Sequence, residues 1–118
     1  AQRGAQLITV CASWGSGPGK LDQWTLLARA RALDSMSYVA AAGQADPGAA
    51  ASSAGAPLGV GGSLLASPLG EVVASAGAGP QLVVADIDLD RVTTARDTIA
   101  VLRNHSSFAQ VDRAESRG

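Results

Sequence analysis

Residues 4–44, GAQLITVCASWGSGPGKLDQWTLLARARALDSMSYVAAAGQ, decide the fold. Gln6 to Ala12 supplies Leu7, Ile8, Val10 and Cys11, a near-continuous apolar run of the kind found in strands buried on both faces. The loop Gly15-Ser16-Gly17-Pro18-Gly19-Lys20 ends that run. From Gln23 to Ser35 good helix formers dominate, and Asp22 suits the N-cap or the first turn. Trp24, Leu27, Ala28 and Arg31 fall on one helical face, while Ala28, Ala32 and Ser35 make a small-residue ridge that permits close packing on a sheet. Arg31 and Asp34 stand three apart and are placed to pair. Tyr38 to Gln44 follows as an Ala-rich strand. The unit is βαβ, and the right-handed crossover rule makes its strands parallel if they share a sheet.

Outward from this unit, Ala1-Gln2-Arg3-Gly4 reads as the last turn of a helix stopped by a C′ glycine, which leads us to expect a segment upstream of Ala1. Asp46 to Gly59 is rich in Ala, Gly, Ser and Pro without period, and is expected to be a long surface loop. Ser63 to Ala66 and Glu71 to Ser75 read as strands of a hairpin. Their connection Ser67-Pro68-Leu69-Gly70 has Pro at i+1 and Gly at i+3 of a type I turn. After a turn over Ala76 to Pro80, Leu82 to Asp88 is expected to add a third antiparallel strand. Asp90 reads as the N-cap of a helix reaching Arg103, with Val92, Ala95, Ile99 and Leu102 on its apolar stripe. Beyond it the tail is polar apart from Phe108 and Val111. The expected division is residues 1–104 as the folded part and 105–118 as a tail that is disordered or lies on a partner.

Composition limits the function classes. A chain of 118 residues holds one domain at most. It is 47% hydrophobic but only 3% aromatic, so its Ala- and Gly-rich core removes little area from water per residue. The net charge of −1, spread without runs, gives no electrostatic case for nucleic acid or an anionic membrane. One cysteine makes no internal disulfide and no Cys/His metal cluster is present, which fits a reducing cytoplasm. No apolar run approaches the ~20 residues that span a bilayer. No cofactor or metal is expected.

A phosphate loop built on Gly19-Lys20 needs glycine where Trp14 stands and a hydroxyl where Leu21 stands. A dinucleotide fingerprint from Gly15 fails at Lys20, and one from Gly59 fails at Leu64. Cys11 ends a strand, where open α/β sheets place active sites, yet the one histidine, His105, lies past the last helix and offers no evident base. A small buried hydrophobe is the plainer reading of Cys11. Asp86, Asp88 and Asp90 alternate, but capping and solvation account for them without a cation.

The order of several pieces carries a resemblance. Gly4-Ala5-Gln6-Leu7-Ile8, Ala12-Ser13-Trp14, Trp24 with Leu26-Leu27, Arg31-Ala32-Leu33-Asp34-Ser35, Tyr38-Val39 and Gln44 are followed by Gly61-Gly62-Ser63, Ser67 to Val73, Ala85-Asp86-Ile87-Asp88 and the helix with Arg96. This succession, covering Ala1 to Asn104, resembles the second part of a nitrilase-superfamily carbon–nitrogen hydrolase. The resemblance implies an α/β fold, the C-terminal half of an α-β-β-α four-layer sandwich. It also implies hydrolysis of amide, nitrile or carbamoyl bonds by a glutamate base, a lysine and a cysteine nucleophile.

The departures are specific. The family's nucleophile motif, resembling Cys-Tyr-Asp-x-Arg-Phe-Pro, is absent, and Cys11 does not align with it. The glutamate and lysine have no counterparts, and Lys20 lies in the wrong element to stand in. No catalytic residue is therefore assigned. The resemblance makes Ala12, Ser13 and Trp14 part of the substrate pocket, and Arg31 and Asp34 structural, with Asp34 standing for a more usual glutamate. The chain alone is expected to be inactive and marginally stable, because open strand edges would be left. Expected partners are a small-molecule substrate in the intact enzyme and either a homo-oligomer or the missing half. The alternatives are a noncatalytic module that pairs with a full-length homologue and a nucleotide-binding βαβ fragment.

Overall fold

A computed structural model describes residues 1–48, 58–104 and 106. Residues 49–57, most of the loop expected over Asp46 to Gly59, lie outside the described residues, as do His105 and the tail from 107 onward. In order come β1 (Leu7–Ala12), α1 (Lys20–Ser35), β2 (Tyr38–Gly43), β3 (Leu64–Ala66), β4 (Val72–Ser75) and α2 (Asp90–Thr98). The four strands form one sheet in the order β1-β2-β3-β4. β1 and β2 are parallel, with Leu7 opposite Tyr38 and Cys11 opposite Ala42, and the remaining pairings are antiparallel. The βαβ unit and the hairpin expected from the sequence are both present.

Helix α1 starts earlier than expected. Gly19, at φ 71°, is its N-cap, and Asp22 stands in the first turn, where its charge complements the helix dipole. Trp24, Ala28 and Ala32 form the buried stripe, and they pack with Val39, Ala41, Leu64 and Ala66 against one face of the sheet. Leu27 and Arg31, expected on that face, are exposed, because a helix resting on small residues sits close and buries only a narrow stripe. The pair Arg31–Asp34 forms at 3.2 Å on the solvent side of the helix.

The helix ends in a Schellman turn. Met36 adopts φ 46° and ψ 47°, its N–H reaching Leu33 and that of Ser37 reaching Ala32. Glycine is usual at this left-handed position; the fully buried Met36 side chain offsets the strain.

Three expectations are corrected. β1 is not buried on both faces: Ile8, Val10 and Ala12 pack toward α1, whereas Leu7, Thr9 and Cys11 on the other face are exposed. Leu82–Asp88 joins no ladder among the described residues. The backbone just before it is already committed, Ala76 to Ser63, Gly62 to Gly77 and Asp46 to Ala78, so the chain leaves the β4 edge. It then passes over the sheet with Val83 and Ile87 half-buried and Leu82 and Val84 exposed, and Ile87 packs on the cluster of Tyr38, Leu65 and Val92. Finally, α2 stops at Thr98, where Ile99 turns extended, and its first residue Asp90 is held by the Asp88 carboxylate at 3.0 Å rather than acting as the cap itself.

The hairpin tip shows why its turn was readable. The Gly70 N–H closes the turn on the Ser67 carbonyl at 2.8 Å, and the buried Ser67 hydroxyl accepts N–H groups from Leu69 and Glu71 at 3.3 Å each.

Candidate functional site

The carboxyl ends of β1 and β2 converge with the entry to β3, and two indoles hold the junction together. Trp14, half-buried just past β1, lies 6.1 Å from Trp24 between ring centroids, tilted by 34°. Trp14 Nε1 donates to the Lys20 carbonyl at 2.9 Å, closing the Gly-rich loop on itself, and the Val60 N–H donates to the Trp14 carbonyl at 3.0 Å. Trp24 Nε1, buried, donates to the Gly62 carbonyl at 2.9 Å. The Ser63 hydroxyl accepts the Gly43 N–H at 3.0 Å, and the Gly61 N–H donates to the Gln44 carbonyl at 2.9 Å. Lys20 lies with Nζ 5.7 Å from the Trp14 ring centroid and donates to Gln23 Oε1 at 3.3 Å.

The expected pocket residues separate here. Ala12 and Trp14 turn toward the α1 side of the sheet, where both pack on the main core, and Ser13 is exposed. Cys11 is exposed on the opposite face and makes no side-chain hydrogen bond among the described residues. On that opposite face a groove of about 400 Å³ runs between the sheet and the 81–87 segment, lined by Leu7, Ala40, Leu65, Val83 and Ile87 among others. Among the described residues that line it, Ser63 and Gln81 carry the polar side chains, and none is an acid or a base. Asp86, Asp88 and Asp90 are all exposed, and no group of three His, Cys, Asp or Glu able to hold a metal occurs among the described residues. No described helix is long and apolar enough to cross a membrane.

Sequence reasoning missed Trp24 and Ser63 as parts of this junction. The partner of Trp24 lies 38 residues away, so no local spacing could reveal it. The Gly61-Gly62 pair directly before a strand was the available signal. Replacing Trp24 by Phe keeps a ring against Trp14 but orphans the Gly62 carbonyl, a loss expected to cost about 1–3 kcal/mol. Urea denaturation read by circular dichroism would measure it.

Residues 1–97 match the family described as carbon–nitrogen hydrolase. A protein described as a hydrolase from Mycobacterium tuberculosis (strain H37Rv) is 75% identical over 122 residues, an alignment that takes in 100% of this chain and 44% of that protein. The omega-amidase NIT2 of Homo sapiens is 37% identical over 107 residues, 91% of this chain and 37% of the relative. Among solved structures, Saccharomyces cerevisiae Nit3, a member of branch 10 of the nitrilase superfamily, superposes with a TM-score of 0.71 at 28% identity, over 83% of this chain and 34% of that one. The C. elegans NitFhit protein superposes with a TM-score of 0.70 at 31% identity, over 88% and 24% respectively. The chain thus spans less than half the length of these relatives.

Proposed function

The chain belongs to the carbon–nitrogen hydrolase family, and from that premise we propose that the complete protein hydrolyses a small-molecule amide, nitrile or carbamoyl bond with a nucleophile that these 118 residues do not contain. The observation that carries the second half is the position of Cys11. This sole thiol sits exposed on the sheet face away from Trp14, without a hydrogen-bonded base among the described residues. A cysteine nucleophile works with an adjacent base or in a positive environment, and the described residues place neither beside Cys11.

In this reading the glutamate, lysine and cysteine come from the remainder of the sandwich, which meets this chain at the carboxyl ends of β1 and β2. Ala12, Ser13 and Trp14 contribute one wall of the pocket, and Arg31 with Asp34 trims the outer face of α1. For an amide, the acyl carbon–nitrogen bond breaks, ammonia leaves, and water supplies the oxygen of the acid. The protein works in a reducing compartment such as the cytoplasm, and its folded form is completed by the missing half or by oligomerisation.

Ammonia release from a panel of amides tests this. The 118-residue chain alone is expected to give none, and the complete protein is expected to turn over at least one substrate. Cys11→Ala in the complete protein should leave kcat within about twofold, as for a substitution that touches no reacting atom. Turnover by the short chain, or its loss in Cys11→Ala, would falsify the assignment.

A further inference from the structure

Trp14 is a half-buried ring resting on a buried one. It stands just past β1, at the carboxyl ends of the parallel strands, where open α/β sheets take their ligands. Its indole N–H is committed to the Lys20 carbonyl at 2.9 Å, so toward a pocket it offers ring surface and no further donor. Three contacts set where that surface lies: the Lys20 carbonyl, the Val60 N–H on the Trp14 carbonyl at 3.0 Å, and the Trp24 ring, whose centroid is 6.1 Å away. Lys20 follows a loop with glycines at Gly15, Gly17 and Gly19, and Val60 lies in the lead to β3. Trp24, by contrast, is rooted in the core. It is 4% exposed, packs with Ala28, Val39 and Leu64, and is pinned by its own Nε1 to the Gly62 carbonyl at 2.9 Å. Backbone lies close to it as well, since a Cβ at Gly43 would stand 3.5 Å from Nε1 and one at Gly62 3.6 Å from Cδ1. A ring held so closely has one position, and the ring tilted 34° against it takes its own from there.

We propose that Trp24 is a positioning residue: from behind, it fixes the Trp14 ring and thereby the shape of the pocket, so that the enzyme discriminates amides by branching of the acyl chain. This rests on the amide-hydrolase reading and on Trp14 forming the pocket wall. Trp24 touches no substrate and takes part in no bond breaking. A flat wall that cannot retreat admits a chain lying along it and rejects a branch pressed into it, whereas a wall free to tilt yields to both. The effect therefore falls on KM and on the ratio between two amides rather than on kcat.

The test compares kcat/KM for butyramide and isobutyramide, isomers that differ by a branch, in the complete protein. Wild type is expected to favour butyramide by about tenfold or more, the scale of one misplaced methyl group. Trp24→Met, which fills the space without a ring, should cut that preference about tenfold through KM. Trp24→Phe, which keeps a smaller ring without the bond to Gly62, should cut it about threefold. Neither KM nor the ratio depends on how much of the protein is folded, so a merely structural Trp24 would leave both unchanged while the folded yield fell. An unchanged preference in the variants, or a wild type that treats the isomers alike or favours isobutyramide, overturns the proposal with the amide-hydrolase reading intact. Where Trp24→Met does not fold, Trp24→Phe decides alone by the same criterion. If the protein hydrolyses neither isomer but another amide, that amide and its α-methyl derivative replace the pair. If it hydrolyses none, the reading fails and the proposal falls with it.

Discussion

Arg96→Ala is expected to destabilise the fold by about 3 kcal/mol, since it removes several hydrogen bonds made by one charged group. Arg96 Nε donates to the Met36 carbonyl at 3.2 Å, and Nη2 donates to the Ala5 carbonyl at 2.6 Å and to the Ser37 hydroxyl at 2.9 Å. These acceptors sit at the lead into β1 and at the turn between α1 and β2, so one guanidinium joins α2 to the base of the βαβ unit. The turn it holds is the strained one. Met36 is in the left-handed region, and Ser37, wholly buried, has its hydroxyl donating to Ala5 at 2.9 Å. Without Arg96 the Met36 carbonyl loses this donor, and among the described residues α2 is left with the buried Val92 and Ala95 and the exposed Arg91–Glu71 pair. Lysine should recover little, because a single ammonium cannot reproduce the planar fork that meets three acceptors. Urea midpoints for wild type, Arg96→Lys and Arg96→Ala would decide it. A midpoint for the alanine variant close to wild type would show that the clamp carries no net stability.

The parts of this fold that could be read from sequence are those whose physics is local. The βαβ unit announces itself by a change of hydrophobic period around Gly15–Lys20, and the hairpin by proline and glycine at fixed offsets in Ser67–Gly70. The failures share a cause. Alternation in Leu82–Asp88 says that the chain is extended, but not whether its backbone meets a neighbouring strand, and hydrogen bonds made by residues 76–78 take it elsewhere. The apolar run in β1 suggested cover on two sides, whereas only the α1 side is covered among the described residues. For the site the limit is sharper. Resemblance singles out Trp14, and nothing in its own neighbourhood forecasts that its indole binds the Lys20 carbonyl and lies tilted against Trp24. Arg96 likewise serves acceptors 59 to 91 residues away, a distance over which spacing carries no signal.

Gly61→Ala should be among the most damaging single-methyl additions in the chain. Gly61 lies at φ 66°, where a Cβ costs about 1–2 kcal/mol for backbone conformation alone. A Cβ there would also stand 2.3 Å from the Ala78 carbonyl oxygen and 2.5 Å from its Cα. Those are backbone atoms, and they are not free to retreat, because the Ala78 carbonyl accepts the Asp46 N–H at 2.7 Å and the Gly62 N–H holds Gly77 at 2.9 Å. Relief therefore means moving the crossing of three segments, a further overpacking cost of about 1–3 kcal/mol. The neighbouring Gly62 differs, since its added Cβ would meet the end of the flexible Leu21 side chain, which can rotate away. Gly77→Ala is the control: its Cβ would meet nothing within 4 Å, and its backbone is not left-handed. Denaturation should therefore rank the variants with Gly77→Ala near wild type and Gly61→Ala lower by about 3 kcal/mol. Because Gly61 bonds to Gln44 and precedes the Gly62 carbonyl that anchors Trp24, the same substitution should loosen the indole pair. A red shift of tryptophan emission in Gly61→Ala but not in Gly77→Ala would locate the damage at the junction; equal spectra and equal midpoints would mean that the close approach of residues 61 and 78 is not what holds it.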